Sequence, residues 1–348
     1  MVATEIQISP RMVILAREIR GMSQKELAER LGTSPAFICK VETDNRTLSE
    51  ETLAKMSKLL KFQPEFFYQE GEAYLPMSLN YRKRDHVSAK LLAPLEANIN
   101  LYRLHIETLA AKLKLKEPNV PVLDLQKLGS IEQVAKQLRK AWKIPKGPVE
   151  NLTELLENNG IIVISFDFGT ERVDSRTILT KDKQPIIVIN KLHLADRQRF
   201  SLAYELGHLI MHVNTQPSFD RDISHEANMF AAGFLMPENE IKKDFEKGIT
   251  IPLLGELKRK WKVSMQALLY RSADLGFLTE NQKHYLLKQF NQLKIRRREP
   301  PDLDFPQEKP RLLRDLITKY KNAHKFSIKE LSQAFHLEQE EFMSRYGE

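Results

Sequence analysis

The sequence predicts a mainly α-helical chain with one small α+β domain set in its middle. Residues 9–70 and 88–115 carry apolar side chains at helical spacing. Two short apolar runs, 161–166 and 185–190, read as strands, and helical spacing resumes after residue 250. These features divide the chain into a bundle of five helices at 9–70, a linker and long helix at 71–117, a mixed domain at 118–280 and a helical C-terminal region at 281–348. At 348 residues, 42% hydrophobic and 29% charged, the composition is that of a soluble globular protein of two or three domains. The single cysteine, Cys39, excludes an intrachain disulfide framework and fits a reducing compartment. No apolar run approaches the roughly 18 residues of a membrane span, and no secretory pattern opens the chain, so the expectation is a cytoplasmic protein without membrane contact. The net charge of +8 is unevenly spread: residues 1–70 balance ten basic against ten acidic side chains, whereas 141–240 carry 10 against 14. The basic excess therefore flanks an acidic middle and does not by itself mark a nucleic-acid surface.

The first bundle contains a helix-turn-helix. Ser23 stands three residues before Glu26, the spacing of a capping box, and opens the helix that ends at Leu31. Gly32-Thr33 breaks the chain, Ser34 caps again, and Pro35 suits the first position of a helix running to about Glu42. A further helix from about Ser49 to Leu60 has Leu53, Met56, Leu59 and Leu60 as its apolar face. Residues 75–87 read as a connecting loop. The helix expected from Ser88 to Leu115 carries an apolar stripe at Leu91, Leu95, Ile99, Tyr102, Ile106, Leu109 and Leu113, to be packed on the next domain or used as a dimer seam. In the middle of the chain, helices at 130–142 and 150–158 precede the strand that follows Gly160, and a polar turn at 180–184 precedes the second strand. A helix containing Tyr204-Glu205-Leu206-Gly207-His208 comes next, then one from Ser224 to Leu235. Residues 253–271 and 326–342 each have a helix-turn-helix cadence and are read as structural helical hairpins, with partner or DNA contact as the alternative. The basic runs Arg82-Lys83-Arg84 and Arg296-Arg297-Arg298 are read as solvated loops, with phosphate contact as the alternative.

Tyr204-Glu205-x-x-His208 is an H-E-x-x-H helix without its first histidine. In the complete motif two imidazoles four residues apart share one helix face and hold Zn²⁺, with the glutamate beside them as general base. Tyr204 stands where the first imidazole belongs. A neutral phenol, with a reference pKa of about 10, is a poor zinc ligand. His212, one turn after His208, and His225, beside Glu226, are the nearest substitutes, and a tyrosinate is the third.

Two resemblances extend these readings. The stretch from Ser23 to Glu42, with Ala28, Gly32 and its apolar positions in register, resembles the XRE-type (Cro/repressor-like) helix-turn-helix. That resemblance implies a double-stranded DNA operator, read by a homodimer. Gln24 would hydrogen-bond backbone or base, and Ser34, Ala36, Phe37 and Lys40 would lie along the groove-facing surface of the second helix. Arg199-Phe200 leading to Tyr204-Glu205-Leu206-Gly207-His208, then Glu226-Ala227-Asn228 through Leu235-Met236-Pro237, resembles the ImmA/IrrE-type metallopeptidase family, with its zincin-like (gluzincin-like) domain. This second resemblance implies Glu205 as catalytic base, His208 and Glu226 as metal ligands, and a zinc site weakened or lost through Tyr204. Together the two imply a transcriptional regulator whose peptidase-like domain is a degenerate or altered sensor, or an interaction module for a protein partner. An active zinc endopeptidase cleaving a repressor in a stress, toxin–antitoxin or defence circuit is the competing reading. A non-catalytic module binding a peptide or small ligand is the third.

Overall fold

The computed structural model describes residues 7–43, 47–69, 82–83, 87–213 and 221–347, with 82–83 described by backbone alone. Its N-terminal bundle holds α1 (Pro10–Ile19), α2 (Gln24–Leu31), α3 (Pro35–Glu42) and α4 (Glu50–Leu60), and its fifth helical element is the 3-10 helix Pro64–Tyr68. The capping signals act as predicted. Ser23 Oγ accepts from the Glu26 amide, and Glu26 accepts in turn from the Ser23 amide at 2.7 Å. Gly32 closes α2 in the left-handed region at φ +67°, where a side chain would be strained. Ser34 and Ser49 cap the next two helices.

Of the predicted loop at 75–87, residues 75–81 and 84–86, Arg84 among them, lie outside the described residues. Arg82–Lys83 is a two-residue strand, β1, where a loop was expected. The long helix, α5, spans Ala89–Ala110 and ends earlier than expected, with Leu113 still buried from the segment that follows. Its stripe packs within the chain: Leu95, Ile99, Tyr102, Ile106 and Leu109 are buried, while Leu91 is 42% exposed.

The mixed domain follows with α6 (Leu125–Leu128), α7 (Ile131–Ala141) and α8 (Leu152–Asn158), then β2 (Ile162–Phe166), β3 (Val173–Leu179) and β4 (Pro185–Asn190). Next come α9 (Ala195–Met211), α10 (Ile223–Leu235), α11 (Glu238–Phe245), α12 (Ile251–Trp261), α13 (Met265–Asp274) and α14 (Glu280–Gln292). Strand order is β1-β3-β4-β2, with β2 parallel and β3 antiparallel to β4. β3 is an addition to the two strands expected, because Asp174-Ser175-Arg176-Thr177 offers no apolar alternation. A 3-10 turn at Pro301–Leu303 leads into α15 (Leu312–His324), α16 (Ile328–Ala334) and α17 (Gln339–Tyr346). No described helix is long and apolar enough to cross a membrane.

The sheet divides two cores, and neither core follows one stretch of sequence. Ile162, Ile164, Ile186 and Val188 face the core that holds α1–α5 and the C-terminal helices. Val163, Ile187 and Ile189 face the other, built with α7–α14. The chain end thus returns to its beginning. Gln63 donates its amide to the His336 carbonyl at 3.0 Å, Phe62 and Leu337 form an isolated bridge, and Arg20 pairs with Glu341 at 3.0 Å. Between α5 and α17, the buried His105 meets the Tyr346 hydroxyl through Nδ1 at 2.6 Å.

Two consequences are testable. Burial holds His105 well below the usual imidazole range, with Arg345 and His336 adding to the shift. The unfolded chain takes up a proton near pH 6.5 and the folded chain does not, so the stability is complete above that pH and is lost as pH falls below it. The melting temperature is expected to drop between pH 7 and 5, and His105→Gln should flatten that slope; an unchanged slope would exclude the assignment. At Gly207, a Cβ would sit 2.9 Å from Phe230 Cδ1, and Phe230 is fully buried on α10. Overpacking of about 1–3 kcal/mol outweighs the roughly 1 kcal/mol that alanine adds to a helix. Gly207→Ala should therefore lower the urea midpoint.

Candidate functional site

On the DNA side, Ser34, Pro35, Ala36, Cys39 and Lys40 form the exposed face of α3. Ser34 Oγ also accepts from the Phe37 amide at 3.1 Å, so one hydroxyl both starts the helix and faces outward. Phe37 is half-buried against the bundle core, which leaves part of its ring at the surface. Gln24 is turned inward: its Nε2 donates to Glu42 at 2.7 Å. Glu42, itself buried, receives Arg17 on both oxygens at 2.5 and 3.0 Å. This Arg17–Glu42–Gln24 cluster ties α1, α2 and α3 together and sets the tilt of the exposed helix. A carboxylate at the C-terminal end of α3 opposes the helix dipole and is tolerated because Arg17 neutralises it.

On the other side of the sheet, α9 is buried along its whole length from Ser201 to Met211. Glu205 lies against β3, where Ser175 Oγ and Thr177 Oγ1 each donate to one carboxylate oxygen at 2.7 Å. The carboxylate that the motif assigns to proton transfer therefore also fastens helix to sheet. Tyr204, 3% exposed, meets the His208 ring edge-on with centroids 4.7 Å apart.

His208 and His212 are joined through their Nδ1 atoms at 2.8 Å, and His212 Nε2 reaches Glu226 Oε2 at 2.9 Å. Arg221 then grips Glu226 through Nε to Oε1 at 2.9 Å and Nη2 to Oε2 at 2.5 Å. The protons follow from the partners. A carboxylate only accepts, so His212 Nε2 donates to Glu226. His212 is held neutral chiefly by burial, so its Nδ1 accepts from His208 Nδ1–H. His208 Nε2 is then a bare lone pair, buried and without a hydrogen-bond partner among the described residues. Burial first, then the nearness of the His212 ring and of the Arg176 charge, lowers the His208 pKa to about 3, so the ring is neutral.

This donor set does not fit zinc as it stands. A zinc ion needs three or four donors converging at roughly 2.0–2.2 Å. Here His212 spends both nitrogens in a line from His208 to Glu226, and a guanidinium occupies the carboxylate. Among the described residues, no group of three or more His, Cys, Asp or Glu side chains is placed to hold a metal ion. His225 is exposed, outside the buried pair. The structure thus brings His208, His212 and Glu226 together but leaves only His208 Nε2 open. Arg221, Ser175 and Thr177 give no signal in the sequence: the arginine is five residues from Glu226 in an irregular stretch, and the hydroxyls lie on the unexpected strand.

Comparison with known proteins falls on the same two regions. A helix-turn-helix family model matches residues 13–67, and an IrrE N-terminal-like domain model matches residues 156–273. The radiation response metalloprotease IrrE of Deinococcus radiodurans is 34% identical over 97 residues. That match covers 24% of this chain and spans 30% of the relative's length. The chain therefore joins an XRE-type helix-turn-helix domain to an IrrE N-terminal-like, peptidase-type domain in one polypeptide.

Proposed function

We propose that the chain is a sequence-specific transcriptional regulator of the cytoplasm, binding its operator as a homodimer, with a peptidase-type domain that senses or binds a partner without zinc chemistry. The observation that carries this reading is the closed line His208–His212–Glu226–Arg221, in which both nitrogens of one histidine and both oxygens of the glutamate are already engaged. Tyr204 supports it by placing a phenol ring where an imidazole donor is needed. On the DNA side, the exposure of Ser34, Ala36 and Lys40 supports their meeting the major groove, with Gln24 bonded to Glu42 and Phe37 half-buried against the bundle core. The bare Nε2 of His208 favours a second reading, in which Arg221 withdraws and Glu205, His208 and Glu226 act as base and ligands of a zinc endopeptidase.

Metal content separates the two. Protein purified without chelator is expected to carry well under one equivalent of zinc, and Tyr204→His combined with Arg221→Ala should raise occupancy above Tyr204→His alone. One equivalent in the wild type, lost on His208→Ala, would overturn the zinc-free reading. For the DNA side, affinity for the promoter region of the chain's own gene should fall steeply with salt. Lys40→Ala should weaken binding several-fold and reduce the salt slope by about 1. Undiminished binding would remove Lys40 from the interface.

A further inference from the structure

A cleft of about 600 Å³ opens beside the first turns of α9. Phe200, one helical turn before Tyr204, lines it, as does Asn228, two residues beyond Glu226. Tyr270 of α13, 38% exposed with Lys283 Nζ 5.6 Å from its ring centroid, lines it too, with Leu192 and Leu194, 46% and 38% exposed. The segment that closes it supplies Arg296 and Arg297.

The charges around the cleft are unequally matched. Arg197 is committed to Asp174, Arg298 to Asp304, and Lys258 to both Asp196 and Glu299. Arg296 and Arg297 are exposed and have no carboxylate partner among the described residues. Their backbone is nonetheless anchored next door. Glu299, 8% exposed, takes Lys258 on one oxygen at 2.7 Å and the Gln266 amide on the other at 3.1 Å. Two guanidiniums without carboxylate partners, carried beside an anchored turn, give this end of the cleft a lip that favours anions. Of the acids lining the cleft, Asp196 and Glu299 share the single charge of Lys258, so they and Glu171 disfavour anions at their end, while Arg296 and Arg297 favour them at theirs.

We propose that this cleft docks an acidic peptide segment of a partner protein, with its carboxylates on Arg296 and Arg297 and an apolar side chain against Phe200, Leu194 and Tyr270. The proposal rests on reading the peptidase-type domain as an interaction module, and it names the partner's chemistry. The exposed leucines favour a peptide over a nucleic-acid strand. A strand without sequence preference asks for a long basic track and successive aromatic platforms, whereas this cleft offers two free cations beside aliphatic side chains.

The test is fluorescence anisotropy on the full chain at low salt. The probes are a fluorescein-labelled glutamate-rich peptide containing leucines, its lysine-rich counterpart and a thymidine oligonucleotide. The acidic peptide should bind at least tenfold more tightly than the basic one. Arg296→Glu with Arg297→Glu should cost at least another tenfold, and Tyr270→Ala several-fold, with melting temperature and promoter binding unchanged. Equal affinity for both peptides overturns the proposal. So does indifference to the double charge reversal, or tighter binding of the oligonucleotide through the same arginines. Zinc content and promoter binding report on the functional reading separately, so loss of peptide binding alone removes only the docking site.

Discussion

A helix buried on every side must satisfy its polar groups from its immediate neighbours, because water cannot reach them and an unpaired polar group costs on the order of 1–3 kcal/mol. α9 is such a helix, and much of the domain is arranged around that demand. Glu205 is met by two hydroxyls from β3, which fixes the register of helix against sheet. His208 is met by His212, His212 by Glu226, and Glu226 by Arg221, which draws α10 onto the helix. Gly207 lets Phe230 pack at the backbone of α9 in the same contact. The side chains that would make a hydrolytic centre in a zinc peptidase here also carry the packing of the domain.

The second organising feature is the return of the chain. The segment from 296 to 312 is bonded to the peptidase-type domain at Lys258, Arg259, Arg199, Thr153 and Glu157. It then delivers α15–α17 to the N-terminal bundle, where Glu341 meets Arg20 and residues 336–338 hydrogen-bond 61–63. α5 enters the same core from the other end of the bundle's linker. The helix-turn-helix bundle is therefore held to the peptidase-type domain by two separate stretches of chain. A ligand on α9 has a route of packed elements to α1, and coupling between them would depend on how that packing changes.

Legibility in the sequence tracks the range of the interactions involved. The helix-turn-helix is readable because its signals are local: Ser23 and Glu26 cap within one turn, and Gly32 stops α2 at a conformation other residues resist. β2 and β4 are readable because they are continuous apolar runs, largely buried on both faces. β3 is not, since the polar partner of the buried Ser175 and Thr177 hydroxyls is Glu205, thirty and twenty-eight residues away. The stripe on α5 is readable as a stripe, but its period does not say whether another chain or this one covers it. Gln24 shows the same limit in the helix-turn-helix, where Glu42 captures a side chain whose position alone suggested contact with DNA backbone or base.

Spacing along a helix sets which side chains share a face, and spacing is written in the order of residues. It was enough to establish the two modules, their order, and the substitution at Tyr204 that puts a phenol in a ligand position. How those side chains are arranged is set by packing. Whether His208 and Glu226 converge on one point or are drawn into a line depends on Arg221 and His212 competing for the same lone pairs. That competition turns on small differences in distance between elements far apart in the chain, and only the packed domain sets them.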